Sequence, residues 1–393
     1  MLISNFIDLF LRKEAHKQHN SNYRQISSYE TSEVDKMLKS GASQNVINWL
    51  KEQYETERIA QEQFMDALPN VIYVIDLEYL RRKFTLTEEP AGTTRNFSYP
   101  TAFYGAIFGD IAGSAYEGMY NMAYRSSLTY DNCIIENSRP TDDTILTCAT
   151  AIGDKELTVE NREYQMRDFC MGSTFPYSNG NPFTRAYADC VEIHYENPSF
   201  GVRFYDWAVG KDHRPYGSLG NGSAARVSPL IEKYESLNDL ILHVIASAAA
   251  THNHYEGVKG AVVTAVAGWM AYHGYDKEQI FQYMKNHYNG EDNSVSVFSR
   301  ITEFTMDELK VKDGPTVCSF SVPAAAICFH EADSFKEVIN NALSFDGDTD
   351  TIGAIAGTIA GAYYGVPEGA RKLVKERNIG EMFWKAEEAI KKV

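Results

Sequence analysis

Two acidic clusters hold most of the chemistry available to this chain: Thr141-Asp142-Asp143-Thr144 and Asp346-Gly347-Asp348-Thr349-Asp350-Thr351, more than 200 residues apart. Each precedes a long run of small and aliphatic residues that reads as a buried helix. Carboxylates packed this closely repel one another, and taking each out of water is costly unless positive charge meets it. Neither cluster contains Lys or Arg, and Arg139 is the nearest cation. A helix N-terminus supplies only about half a unit of charge. A divalent metal answers the imbalance. Hydroxyl and carboxylate oxygens are hard ligands, better suited to Mg²⁺, Mn²⁺ or Ca²⁺ than to zinc.

Taken singly, each cluster has a plainer reading. Pro140 breaks the preceding segment, Thr141 is an N-cap candidate, and Asp142 and Asp143 fall in the first turn of a helix beginning near Thr144. The second cluster alone could be a loop or a calcium-binding turn. It is not an EF-hand, because no Glu follows at the required position. Together Asp142, Asp143, Asp348 and Asp350 offer four carboxylates, with flanking hydroxyls, from two helix starts, which matches a two-metal site better than two coincidental caps.

The elements that must position these groups are also legible. Gly105, Gly109 and Gly113 recur at four-residue spacing, as do Gly353, Gly357, Gly361 and Gly365. Each stripe occupies one helix face. Glycine costs about 1 kcal/mol relative to alanine inside a helix, so a stripe predicts that another backbone approaches closely. If one helix ran on, Glu117 would continue the face of Gly105, Gly109 and Gly113; if the helix ends sooner, Glu117 is left exposed.

With 393 residues, the chain predicts one large domain with an appendage, or two domains. The formal net charge of −16 argues against bulk attraction to nucleic acid or an anionic membrane. The six cysteines show no CxxC pair and no zinc-finger spacing, and read as reduced core residues. Met1 to Leu11 makes a poor signal peptide, and the apolar stretches near 240–250 and 261–272 are too short and too polar to span a bilayer. A soluble, cytoplasmic protein without membrane association is expected.

Residues 1–95 are rich in Glu, Lys, Gln and Asn, and read as a helical N-terminal extension of unassigned role. In it, Ser43 could cap a helix with Val46, Ile47, Leu50 and Tyr54 on one face, while Val71–Ile75 is a strand or a buried helical turn. Glu88 to Thr94 looks like a linker. From residue 96 to 393 the small-residue segments 102–118, 144–153, 240–272 and 351–365 predict a compact all-α domain. Loop-rich, aromatic stretches over 172–182 and 215–223 interrupt it.

Five motifs resemble, in order, those of the ADP-ribosylglycohydrolases. Gly105-Ala-Ile-Phe-Gly-Asp110-Ile-Ala-Gly-Ser114 with Glu117 is similar to the family's opening motif, and Thr141-Asp142-Asp143-Thr144 to its first metal motif. Gly220-Asn221-Gly222-Ser223-Ala224-Ala225-Arg226-Val227-Ser228-Pro229 resembles the loop and helix start that contact ADP-ribose. Thr251-His252-Asn253-His254 resembles the Thr-His motif, and Gly347-Asp348-Thr349-Asp350-Thr351 the second metal motif.

The resemblance implies an all-α fold holding two divalent cations, Mg²⁺ or Mn²⁺, through Thr141, Asp142, Asp143, Asp348, Asp350 and Thr351. Glu117 matches the family's flexible glutamate, and proton handling falls to Glu117 or Asp350. The loop Gly217, Ser218, Leu219, Gly220, Asn221, Gly222 and Ser223 would wrap the diphosphate and adenosine with backbone N–H donors, and His252 would approach the ribose–phosphate region. Phe175 and Tyr177 are candidates for stacking on adenine. Two departures stand out: Asp346 is an added carboxylate, and Leu219 sits where an aromatic is common. His252 and His254, two residues apart, do not share a helix face and make no zinc pair. The implied activity is hydrolysis of the bond linking ADP-ribose to a modified protein or other conjugate, of unspecified acceptor. The alternative is an immunity or regulatory protein that binds an ADP-ribosyltransferase or an ADP-ribosylated partner, with residues 1–95 reaching the transferase.

Overall fold

A computed structural model describes residues 83–118, 127–155, 182–194, 199–210, 213, 215–216, 218–252, 254–288, 316–345 and 347–390, all within one compact unit spanning 69–393. The helix expected after Ser43 and the segment Val71–Ile75 lie outside the described residues, as do Phe175, Tyr177, Gly217, Asn253 and Asp346.

The architecture is all-α, with no strand among the described residues. Helices α1 (Thr101–Ser114), α2 (Asp142–Lys155), α3 (Pro182–Ile193), α4 (Val202–Val209), α5 (Gly222–Ala225), α6 (Ser228–Ile231) and α7 (Leu237–Ala249) come first. Then follow α8 (Tyr255–Tyr272), α9 (Lys277–His287), α10 (Cys318–His330), α11 (Phe335–Leu343), α12 (Thr349–Tyr364), α13 (Glu368–Glu376) and α14 (Glu381–Ile390). Between the loop-rich stretches 172–182 and 215–223, the chain forms the two helices α3 and α4.

The central pair is α1 against α12. A methyl group at Gly105 would overlap the Gly357 carbonyl, and one at Gly109 would overlap that of Gly353. Both stripes therefore face each other, and the backbones meet with no side chain between them. Every residue of α12 from Thr349 to Ala362 is buried, as a helix enclosed on all sides must be. At the end of the stripe, a Cβ on Gly113 would lie 2.5 Å from the Asp350 Cα, so this glycine decides how near the second acidic cluster comes to α1.

Helix starts are capped by groups from elsewhere in the chain as well as by their own. Pro100, at the N-cap of α1, makes no side-chain cap. The Glu232 carboxylate takes that role, accepting from the Thr101 hydroxyl at 2.6 Å and the Ala102 N–H at 2.7 Å. Ser236 and Ser334 cap α7 and α11 locally, and Asp276 with Gln279 forms a capping box on α9.

The segment that reads as a linker is fastened to the helical body. Tyr275 donates its hydroxyl to the Glu88 carbonyl at 2.9 Å, Gln279 Nε2 donates to Glu89 O at 2.9 Å, and the Gly92 N–H donates to Gly274 O at 2.9 Å. Cys133, Cys148, Cys190, Cys318 and Cys328 are buried free thiols. No described helix is long and apolar enough to cross a membrane.

Candidate active site

The first acidic cluster is placed by a carboxylate in the middle of α1. Asp110 is fully buried and accepts the N–H of Thr141 at 3.0 Å, the N–H of Thr144 at 3.1 Å and the Thr141 hydroxyl at 2.7 Å; the Thr144 hydroxyl also donates to it. Asp110 thus caps α2 from outside the helix. With donors satisfied this far forward, α2 begins at Asp142 rather than near Thr144. Thr141 retains its capping geometry, its oxygen accepting the Asp143 N–H at 3.2 Å. The Ser199 hydroxyl accepts the Asp142 N–H at 2.8 Å.

The second cluster opens α12. Gly347 turns at φ +88°, a conformation that favours glycine, and Asp348 occupies the N-cap. The N–H of Gly118 donates to Gly347 O at 2.9 Å, tying the end of the α1 segment to this turn. Asn221 Nδ2 donates to the Asp348 carboxylate and also to Ser321 Oγ at 2.7 Å. Across the site, the Thr351 hydroxyl donates to Asp143 Oδ2 at 2.7 Å.

Glu117 completes the cluster by the second of the two routes its sequence left open. Helix α1 stops at Ser114. The Tyr116 ring is then buried, with its hydroxyl on Cys133 O at 2.7 Å, and the next residue is directed outward. Glu117 is exposed, yet one oxygen each from Glu117, Asp348 and Asp350 lies within 4.8 Å of the others.

Burial and mutual repulsion push these groups toward protonation. The Asp110 carboxyl is raised to about 6 and that of Asp142 to about 8, in each case first by burial, with Asp110 adding to the shift at Asp142. Asp143 and Asp350 are raised well above the ordinary range by burial and by neighbouring carboxylates. Asp348 is raised by burial, against its bond from Asn221. Glu117, exposed but partly shielded by its neighbours, is raised by that partial desolvation and then by Asp348, while Arg139 opposes the rise. Such a concentration of oxygen donors and negative charge fits a hard divalent cation.

The loop after α4 is stitched to the start of α10. Cys318 donates its N–H to Leu219 O at 3.1 Å, the Asn221 N–H reaches Thr316 O at 3.3 Å, and the Gly220 N–H is taken by Ser218 Oγ at 3.2 Å. Ser223 is buried and donates to Gly257 O at 2.8 Å. The Gly220 N–H bonds within the loop, while the Asn221 N–H, the Asn221 side chain and the Ser223 hydroxyl tie the loop to Thr316, to Asp348 and Ser321, and to Gly257. Gly257 makes room for this: a Cβ there would stand 2.6 Å from Ser218 O. His252 lies beside the loop, its Nε2 3.3 Å from where a Cβ on Gly220 would sit. His254 is apart from it, capping α8 by accepting the Glu256 N–H at 3.1 Å.

A model of the ADP-ribosylglycohydrolase family matches residues 99–390. The chain belongs to this family. Among its curated relatives, ADP-ribosylhydrolase ARH3 of Xenopus tropicalis is 27% identical over 304 residues, 66% of this chain and 85% of that protein. ADP-ribosylhydrolase ARH3 of Homo sapiens is 30% identical over 189 residues, covering 39% of this chain and 52% of its own length. A solved structure of an ADP-ribosylglycohydrolase-related protein complex superposes with a TM-score of 0.54 at 23% identity, over 74% of this chain and 95% of that one, which shows a common fold. Family membership and these relatives support an ADP-ribosyl hydrolase activity.

Four residues that position the candidate site carry no assigned role in the sequence reading: Asp110, Ser199, Gly257 and Ser321. Asp110 alone had a sequence signal, as a lone carboxylate inside an apolar small-residue helix. The others act through tertiary contacts that no local pattern announces.

Proposed function

We propose that the protein is a metal-dependent glycohydrolase that cleaves the bond joining the anomeric carbon of ADP-ribose to a modified target. What supports this reading is the meeting of two helix starts at one point: Glu117, Asp348 and Asp350 within 4.8 Å, and Thr351 bonded to Asp143. Thr141, Asp142 and Asp143 on one side, with Asp348, Asp350 and Thr351 on the other, would hold two divalent cations, Mg²⁺ or Mn²⁺. When bound, those cations would polarise and orient the ribose hydroxyls.

The remaining work belongs to the chain. Asp110 and Asn221 fix the first turns of the two helices, so the ligand oxygens are held in place before substrate arrives. Cleavage develops positive charge at the anomeric carbon, and the surrounding carboxylates favour it. Water supplies a hydroxyl to that carbon, and the leaving atom takes a proton. Glu117 is exposed, sits within the carboxylate cluster and is raised above its ordinary value, so it can take a proton from water and return it. Asp350, buried and within 4.8 Å of it, is a cation ligand and the other candidate for proton handling. The Ser218–Ser223 loop and His252 bind the ADP-ribose moiety.

The test is release of free ADP-ribose from arginine-, serine- and nucleotide-linked conjugates in the presence of Mg²⁺ or Mn²⁺. Asp350→Asn should abolish release, and chelation should do the same reversibly. Failure on all three linkages would remove the proposal.

A further inference from the structure

Arg226 is fully buried, and a guanidinium can only donate hydrogen bonds. One of its nitrogens, Nη2, donates to Ser247 O at 2.8 Å and to Thr251 Oγ1 at 3.0 Å, while the guanidinium lies 4.1 Å over the Tyr187 ring. The Thr251 oxygen is therefore an acceptor toward Arg226, and its own proton needs a destination. Thr251 is also fully buried, so water does not provide one. The other partner of Oγ1 among the described residues is His252 Nδ1, at 2.7 Å. Giving the hydroxyl proton to Nδ1 satisfies both groups, and it leaves that nitrogen without a hydrogen.

The ring is then defined. A neutral imidazole with a bare Nδ1 carries its hydrogen on Nε2, the atom that faces the Gly220 turn. The groups around His252 oppose a second proton. Arg226 and Arg203 are the charges that act on it, Tyr216 is the adjacent ring at 6.2 Å, and Thr251 occupies Nδ1. Burial and the two arginines hold the imidazole well below its ordinary value.

We propose that Thr251, oriented by Arg226, is a positioning residue that fixes His252 as the Nε2–H tautomer, so that the ring offers a permanent N–H donor to an oxygen of the ADP-ribose bound at the Ser218–Ser223 loop. The donor half rests on the ADP-ribose reading of the site; the tautomer does not. A fixed tautomer removes the need to reorganise protons when the anionic ligand arrives, and an N–H aimed at an anionic oxygen strengthens binding by about tenfold or more.

The experiment uses the full chain labelled with ¹⁵N-histidine, with the His252 signals assigned by their loss in His252→Gln. Long-range ¹H–¹⁵N correlation on the ligand-free protein should show Nε2 protonated and Nδ1 bare. The reverse pattern, or a ring charged at neutral pH, overturns the proposal. Titration calorimetry with ADP-ribose and Mg²⁺ supplies the second arm. Thr251→Val should weaken binding about tenfold and lose the tautomer preference, and Thr251→Ser should restore both. Unchanged affinity in Thr251→Val overturns the donor role. A wild-type protein with the expected tautomer that binds no ADP-ribose overturns the functional reading and the donor role together. If Thr251→Val does not fold, the wild-type spectrum and Thr251→Ser still decide the matter.

Discussion

The Thr351 hydroxyl donates to Asp143 Oδ2 at 2.7 Å, joining the first turn of α12 to the first turn of α2 across 208 residues of sequence. This bond brings the two acidic clusters into one site. It also fixes their relative approach independently of Asp110 and Asn221, which hold each cluster from behind.

Removing a carboxylate should separate stability from cation binding. The metal-free site concentrates buried, mutually repelling acids, so Asp350→Asn should leave the metal-free protein at least as stable as wild type. Wild type should gain about 2.7 kcal/mol when the cation stands at a hundred times its Kd, and Asp350→Asn should gain none. Thermal melts with and without Mg²⁺ or Mn²⁺ read both effects; a variant that melts lower without metal and still responds to it would contradict the site.

Glu117 is exposed, and replacing it should not disturb the fold. Glu117→Gln should lower kcat by about a hundredfold to ten-thousandfold, as expected of a lost general acid–base group, while the melting temperature stays within a degree or so of wild type. A retained kcat would move proton handling to Asp350.

The glycine seam makes a sharp comparison possible. Gly109→Ala drives a methyl into the Gly353 carbonyl and should cost about 1–3 kcal/mol or more, read as a lowered urea midpoint. Gly369→Ala, in the exposed first turn of α13 with nothing within 4 Å, should be neutral or stabilise by about 0.5–1 kcal/mol. Gly113→Ala should lower cation affinity as well as stability, because its methyl would press on the Asp350 backbone.

Acid sensitivity should come partly from Asp154. It is buried, bonded to His243 Nδ1 at 2.5 Å, to Lys233 Nζ at 2.5 Å and to the Tyr234 hydroxyl at 2.9 Å. Burial alone would raise its value, but the hydrogen bond to His243 and the charges of His243 and Lys233 outweigh burial and hold it below the ordinary range. A depressed folded-state value gives stability that is complete above the unfolded value, about 3.9, and that is lost as pH falls through the folded one. Asp154→Asn should therefore cost about 3 kcal/mol near neutral pH, and the gap to wild type should narrow below about pH 4. Urea midpoints across pH 7 to 3 give the measurement, and a gap that widens on acidification would refute the sign.

The fold class and the pairing of the two acidic clusters were legible because each depends on local pattern. Glycine at four-residue spacing announces a bare helix face, and unpaired acids at a helix start announce missing charge. The exposed position of Glu117 was an open alternative, since it turns on where α1 stops. That stop depends on Tyr116 reaching Cys133, a contact no spacing rule contains. Asn221 read as a ligand-binding residue, but its side-chain nitrogen is engaged with Asp348 and Ser321. Both contacts come from helices about 100 residues or more away in the chain, so a local reading had no access to them.

The caps described above run in series. Glu232 closes the start of α1, Asp110 within α1 closes the start of α2, and Asp143 in α2 receives Thr351 from the start of α12. In this relay the start of α2 is completed by α1, and the first turn of α12 is then joined to the first turn of α2. A chain with its helices formed but not yet docked would have both acidic motifs and no place to hold a cation. On the proposed reading, a cation could then be taken up only after the three helices have docked, so binding would report on complete assembly.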